Sequence, residues 1–120
     1  MFTSGVTIWY NVSNLENTLR FYVDQLGFEK VFHDAEAGMA MVNTNTKDCV
    51  IGFSTAEKVE ASTSSTVFEV EDIELAMKTL RERGVEFPEG VEVVPGMAKL
   101  ATFFDPDGHN LMLSETFPES

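Results

Sequence analysis

Hydrophobic and polar residues alternate along most of this chain, and the alternation predicts eight β-strands. In two stretches apolar residues recur three or four positions apart instead, which is typical of an amphipathic helix. The strands are predicted at residues 5–12, 28–34, 38–43, 48–54, 65–70, 85–94 (with a break at 88–90), 99–104 and 110–115, and the helices at 14–26 and 72–83. The predicted order is therefore β-α-β-β-β, repeated once.

Local signals mark both ends of the first helix. Ser13 and Glu16 form a capping box, in which the Ser13 hydroxyl accepts from the Glu16 backbone N–H and the Glu16 carboxylate reaches back to the Ser13 N–H. Gly27 follows the last turn, where a left-handed conformation ends a helix.

The two halves of the chain also match each other in sequence. Residues 12–20 align with residues 70–78, an offset of 58 that pairs Val12 with Val70 and Leu15 with Ile73. One helix on one face of each sheet predicts an α+β fold of two βαβββ modules. We expect a single domain over residues 1–120, with module one at 1–56, a polar linker at 57–64 and module two at 65–117.

Composition narrows the possible partners. The net charge of −12 argues against nucleic acid and against anionic membranes, and it is compatible with a cationic ligand, although solubility alone is the simpler explanation. Cys49 is the only cysteine, so no disulfide forms within the chain. We find neither a signal peptide nor a membrane-length apolar run, and we expect a cytoplasmic protein.

Residues 103–115 predict a β-hairpin. In Asp105-Pro106-Asp107-Gly108, proline presets φ, aspartate accepts from the following backbone, and glycine supplies a positive φ. Leu111 and Leu113 then point to one face of the outgoing strand, and Asn110, Met112 and Ser114 to the other.

Three strands share this mixed pattern on the face that no helix covers. The candidate ligand-binding residues are Thr7, Trp9, Asn11, Ser65, Val67, Glu69, Asn110, Met112 and Ser114. These faces are too mixed for a sealed core and too aromatic for simple solvation, so we interpret them as the lining of a small-molecule cavity. The alternatives are packing of Trp9 under the linker, a solvated strand position for Glu69 and a core methionine at Met112.

Two motifs resemble the vicinal oxygen chelate superfamily, which includes glyoxalase I, bleomycin-resistance proteins, fosfomycin-modifying thiol transferases and extradiol dioxygenases. They are Val12-Ser13-Asn14-Leu15-Glu16 with Phe21-Tyr22 and Leu26-Gly27-Phe28, and the hairpin from Phe103 to Leu113. The resemblance covers nearly the whole chain. It implies paired βαβββ modules, whose curved mixed sheets form a cleft that a homodimer commonly completes.

The resemblance also implies where a metal would be bound, and the expected ligands are absent. The family's His and Glu positions fall on Thr7, Ser65, Met112 and Ile51, with Gly52 as the alternative to Ile51. None of these is a usual ligand for a divalent ion at such a site. We therefore expect no metal and no cofactor, as the resemblance to bleomycin-resistance proteins also implies.

Three functions remain open from the sequence. The first is a metal-free binding protein that sequesters an organic, cationic aromatic ligand as a homodimer. The second is an enzyme of the same superfamily, a lyase, isomerase or thiol transferase, with Glu69 or His33 as an acid–base group, although no catalytic residue can be assigned. The third is a regulatory or immunity partner. We expect His109 to cap the hairpin turn.

Overall fold

A computed structural model describes residues 1–2, 4–46 and 48–118. Its elements are β1 (Val6–Val12), α1 (Leu15–Leu19), a π-helical segment (Arg20–Gln25), β2 (Glu29–Asp34), β3 (Met39–Asn43), β4 (Cys49–Thr55), β5 (Thr66–Glu69), α2 (Ile73–Glu82), β6 (Val91–Val94), β7 (Ala98–Phe104) and β8 (Asn110–Thr116). The predicted α+β fold with two βαβββ repeats is confirmed. No helix among the described residues is long and apolar enough to cross a membrane.

The chain divides into two units, residues 1–60 and residues 61–120. Each unit contains one four-stranded mixed sheet. Sheet 1 has the order β1-β4-β3-β2 and sheet 2 the order β5-β8-β7-β6. In both, the first and the last strand of the repeat are parallel neighbours, and the other pairs are antiparallel.

The core of the first unit lies between its helix and one face of sheet 1. Tyr22 is fully buried, and its ring centroid lies 4.7 Å from that of Phe53 on β4. Tyr10 on β1 stacks on the same phenylalanine at 6.5 Å. Val12, Ala40, Val42 and Ile51 complete this buried layer. The opposite face of sheet 1 is left without a covering helix of its own unit.

The first helix differs from the prediction at its N-cap and in the geometry of its second half. Asn14, not Ser13, is the N-cap, and its side chain accepts from the Asn17 backbone N–H at 3.0 Å. After one and a half turns the helix widens into the π-helical segment, where Phe21 and Tyr22 are both buried. Adjacent residues lie closer together around a π-helix than around an α-helix, which lets both rings face the core. Gly27 ends the helix with a φ of 84°, as predicted.

The second unit repeats this arrangement with a regular helix. Ile73 and Met77 on α2 are buried with Phe103, Leu111 and Leu113 of sheet 2. The predicted strand at residues 85–87 is wrong. Val85 and Phe87 are buried, but no strand forms between the end of α2 at Glu82 and the start of β6 at Val91. Both side chains pack in the core instead, and the ring centroid of Phe87 lies 5.4 Å from that of Phe103.

The predicted hairpin turn is confirmed. The Gly108 backbone N–H donates to the Asp105 carbonyl at 2.9 Å, and Gly108 has a φ of 84°. The Asp105 carboxylate accepts from the backbone N–H groups of Asp107 and His109 at 3.0 and 2.9 Å. The turn therefore fixes where β8 begins and which of its residues face away from α2.

Candidate functional site

The uncovered face of sheet 1 has a continuous apolar row across its middle. Cross-strand pairing joins Trp9 to Gly52, Gly52 to Met41, and Met41 to Phe32. Trp9 and Phe32 remain 45% and 43% exposed, although both are large aromatic side chains. We call these four residues the platform row.

The Trp9 ring lies flat across the neighbouring strand. A Cβ atom built on Gly52 would overlap Cε3 and Cζ3 of the indole, so the ring occupies the space directly above this glycine. The indole Nε1–H donates to the Ser54 hydroxyl at 2.8 Å. The Ser54 hydroxyl in turn donates to Oδ1 of Asn11 at 3.3 Å. The indole is thus held in one orientation while its outer side remains accessible.

Polar residues border the platform row on both sides. One neighbouring row contains Asn11, Ser54, Met39 and Asp34, and the other contains Thr7, Val50, Asn43 and Glu29. Each of the two rows ends in a carboxylate on β2. This face therefore combines a fixed aromatic surface with hydrogen-bonding groups and negative charge.

The uncovered face of sheet 2 carries the remaining predicted residues in a different pattern. Val67, at the position equivalent to Trp9, pairs with Met112, and Met112 pairs with Thr102. Val67 is 51% exposed and Met112 is half-buried. The Ser65 hydroxyl hydrogen-bonds Oδ1 of Asn110 at 2.5 Å. This face is aliphatic where sheet 1 is aromatic.

Two of the predicted residues, Glu69 and Ser114, take part in contacts at the C-terminal end of strand β8. The Glu69 carboxylate accepts from the Thr116 backbone N–H at 2.8 Å. Hydrogen bonds from the Thr116 backbone and hydroxyl, and from Ser114, hold the pKa of Glu69 below its ordinary value. A carboxylate with a lowered pKa is a weak general base at neutral pH. Ser114 itself is only 7% exposed.

The predicted residues therefore form two groups, one on each sheet. Thr7, Trp9 and Asn11 share the uncovered face of sheet 1, and the other six share that of sheet 2. His33 does not join either group, since it pairs with the buried Ala40 on the helix side of sheet 1. His109 is 3% exposed, and its Nδ1 accepts from the Ser62 backbone N–H at 2.9 Å. This contact ties the chain before β5 to the hairpin turn.

The residues at the expected metal positions do not fit a divalent ion. Of the two candidates on β4, Ile51 is fully buried on the helix side, whereas Gly52 shares the face of Trp9. Gly52 has no side chain to offer, and Thr7, Ser65 and Met112 supply two hydroxyls and a thioether. Divalent ions at such sites prefer imidazole and carboxylate.

One group of carboxylates lies close together elsewhere, at the start of α2. Asp72, Glu74 and Glu115 place ligand atoms within 4.8 Å of one another. Each has a structural partner: Asp72 caps the Leu75 N–H, Glu74 pairs with Lys99 at 3.4 Å, and Glu115 accepts from the Ile73 N–H at 2.9 Å. The group therefore serves as a helix cap.

Sequence reasoning did not include Ser54, Met41 and Phe32 in the site, and it considered Gly52 only as an alternative metal position. One signal was present: a glycine inside the apolar strand 48–54 indicates close approach of another group. Its partner was hidden because the parallel register of β1 and β4 joins residues more than 40 positions apart, as in the Trp9–Ser54 bond.

Comparisons with known proteins agree with this architecture. A model of the Glyoxalase/Bleomycin resistance protein/Dioxygenase superfamily matches residues 6–113. The search of curated proteins finds no match. A solved superfamily member from Sphaerobacter thermophilus is 30% identical, with a TM-score of 0.79 and coverage of 95% of this chain and 98% of that chain.

Two other solved structures show similar agreement. A glyoxalase family protein from Enterococcus faecalis is 30% identical, with a TM-score of 0.72 over 95% of this chain and 97% of that one. TnmS3, an antibiotic binding protein from Streptomyces sp. CB03234, is 21% identical, with a TM-score of 0.81 over 97% and 98%. The last likeness concerns the fold alone. The chain therefore belongs to the glyoxalase/bleomycin resistance protein/dioxygenase superfamily.

Proposed function

We propose that this chain is a metal-independent binding protein that sequesters a flat organic ligand on the face of sheet 1 that carries Trp9. The single observation that carries the proposal is the fixed orientation of the half-exposed indole above Gly52. A large aromatic ring held rigid at a surface loses little conformational entropy on binding, so it suits stacking against another ring.

The charge distribution favours a cationic ligand. Asp34 and Glu29 lie at the ends of the two rows that border the platform row, and the chain carries a net charge of −12. A cation above an indole face gains from the ring quadrupole by about 0.5–2 kcal/mol. The surrounding negative potential adds attraction over a longer range.

Sequestration fits these residues better than catalysis. The family's metal positions lack imidazole and carboxylate ligands, as described above. Of the two acid–base candidates, Glu69 is hydrogen-bonded to the end of β8 and His33 lies on the helix side of sheet 1.

We also propose that the protein acts in the cytoplasm as a homodimer and that the partner chain completes the ligand cleft.

A thermal-shift screen tests the ligand class. We expect proflavine, a flat aromatic cation, to raise the Tm more than phenazine, a flat neutral molecule of similar size. Tetramethylammonium, a cation without a ring, and glutathione should give no shift. Stabilisation by glutathione alone would contradict the binding proposal and favour a thiol-using enzyme.

Elemental analysis of protein purified without a histidine tag tests metal independence. We expect substoichiometric Zn, Ni, Mn and Fe, and an unchanged Tm after dialysis against EDTA. One equivalent of any of these metals per chain, together with a Tm loss after EDTA, would contradict the proposal.

A further inference from the structure

Gly52 is unusual among the glycines of this chain because its backbone does not require glycine. All eight glycines lie in the described part of the chain, and seven of them have a positive φ. Gly52 is the exception, with extended backbone in the middle of β4. A glycine inside a strand weakens it, because it costs backbone entropy and packs no side chain. Some other requirement must therefore explain this residue.

Space for the Trp9 ring is that requirement. A Cβ atom on Gly52 would overlap two atoms of the indole and come within 3.1 Å of a third, Cδ2. A side chain at residue 52 and the observed position of the indole therefore exclude each other. Ser54, two residues further along β4, instead holds the ring in place, because its hydroxyl accepts from the indole N–H at 2.8 Å.

The second module shows what the same position looks like with a side chain. Met112 is the counterpart of Gly52, because it pairs with Val67 as Gly52 pairs with Trp9. Here two aliphatic side chains, those of Val67 and Met112, are cross-strand neighbours. The one module with glycine is also the one with a flat aromatic surface.

We infer that Gly52 is the specificity-determining residue of the sheet-1 face: by leaving the space above its Cα to the Trp9 indole, it selects ligands with a planar ring system. The ligand half of this inference rests on the proposed function. The structural half, that Gly52 seats the indole, is testable without any ligand.

A double-mutant cycle tests the structural half. Gly52→Ala should lower the Tm by about 5 °C in the native background, because the methyl group displaces a packed ring. In a Trp9→Leu background the same substitution should leave the Tm unchanged or raise it, since alanine suits a strand better than glycine. Equal losses of Tm in both backgrounds would overturn the inference.

The fluorescence of Trp9, the only tryptophan in the chain, gives a second readout. We expect Gly52→Ala to shift the emission to longer wavelength and to increase quenching by acrylamide. Ser54→Ala is the matched control, because it removes the N–H acceptor but leaves the space free. It should change the emission less. Unshifted emission of a folded Gly52→Ala variant would overturn the inference.

Titration with proflavine tests the ligand half. We expect Gly52→Ala to raise the Kd at least about tenfold, and Ser54→Ala to raise it less. If the native protein binds proflavine and Gly52→Ala binds it equally well, the specificity inference is wrong and the proposed function stands. If the native protein binds neither proflavine nor phenazine, the proposed function and the specificity half fail together, while the thermal cycle still decides whether Gly52 seats the indole.

Discussion

At the scale of single residues, hydrogen bonding and close packing make Trp9 a rigid surface instead of a mobile side chain. Its Nε1–H donates to Ser54, and its six-membered ring lies against the backbone of Gly52. One neutral hydrogen bond contributes only about 0.5–1.5 kcal/mol. Its value here is orientational, because it fixes which way the ring faces before a ligand arrives.

The sequence places Glu69 among the candidate ligand-binding residues, but its carboxylate is already hydrogen-bonded to the end of β8. Its pKa is lowered below 4.5 by the Thr116 backbone N–H first, then by the hydroxyls of Thr116 and Ser114. A group whose folded pKa is lowered adds stability above its ordinary pKa. That contribution is lost as the pH falls through the folded pKa.

The pH dependence of stability tests this role. Above the ordinary pKa of 4.5, Glu69→Gln should have a lower Tm than the native protein. The difference should shrink as the pH falls below 4.5 and through the lowered pKa of Glu69 in the folded state. Melting curves across this range measure it, with Glu57→Gln as a control of equal charge at an exposed position. A Tm difference that does not change with pH would contradict the assignment.

At the scale of elements, the two helices of the repeat share one capping arrangement. Asn14 accepts from the Asn17 N–H at 3.0 Å, and Asp72 accepts from the Leu75 N–H at 3.1 Å. Both caps lie at equivalent positions of the repeat, since 72 minus 14 is the offset of 58. The match between the halves therefore extends to a specific hydrogen bond.

Substitution of the caps tests this equivalence. Asn14→Ala and Asp72→Ala should each lower the free energy of unfolding by about 1 kcal/mol, because a backbone N–H loses its acceptor. Asn14→Asp keeps an acceptor oxygen and should cost much less. Chemical denaturation measures all three. A cost for Asn14→Asp equal to that of Asn14→Ala would show that the cap is not the source of the stability.

The sequence predicted correctly those elements whose signals are local. The strand alternation and the helix termini at Gly27 and Gly84 are local, and both appear as expected. The cap was assigned one residue early because Ser13 and Asn14 are both good N-caps. Residues 85–87 were mistaken for a strand because buried apolar residues look alike with or without strand pairing.

The site was less predictable than the fold because it depends on pairing between distant residues. Alternation placed Thr7, Trp9 and Asn11 on one face, as the structure has them. It could not show that Trp9 lies over Gly52, since that contact requires the register of β1 against β4. The platform row is a property of the folded sheet.

At the scale of the whole molecule, the net charge of −12 sets the electrostatic background for any ligand. Lys99 pairs with Glu74, but the chain has 20 Asp and Glu residues against only eight Lys and Arg. Most carboxylates therefore add to a negative potential that attracts cations and repels anions.

Salt dependence tests this background. Raising NaCl from about 20 mM to about 300 mM shortens the Debye length and screens the potential. Proflavine affinity should therefore fall, while phenazine affinity should change little. Titrations at both salt concentrations measure the difference. If salt changed the affinities for proflavine and phenazine equally, the negative charge of the protein would have no role in binding the cation.

The most direct test of metal-independent binding on the Trp9 face is a fluorescence titration of EDTA-dialysed protein with proflavine, followed through its single tryptophan. We expect saturable quenching at about one ligand per site without added metal. The Trp9→Ala variant has no tryptophan to follow, so its binding is measured by calorimetry, and its Kd should be higher by at least about tenfold. Val67→Ala, the equivalent substitution on sheet 2, should weaken binding less. Quenching that requires an added divalent ion, or Trp9→Ala protein that binds as tightly as the native protein, would contradict the account.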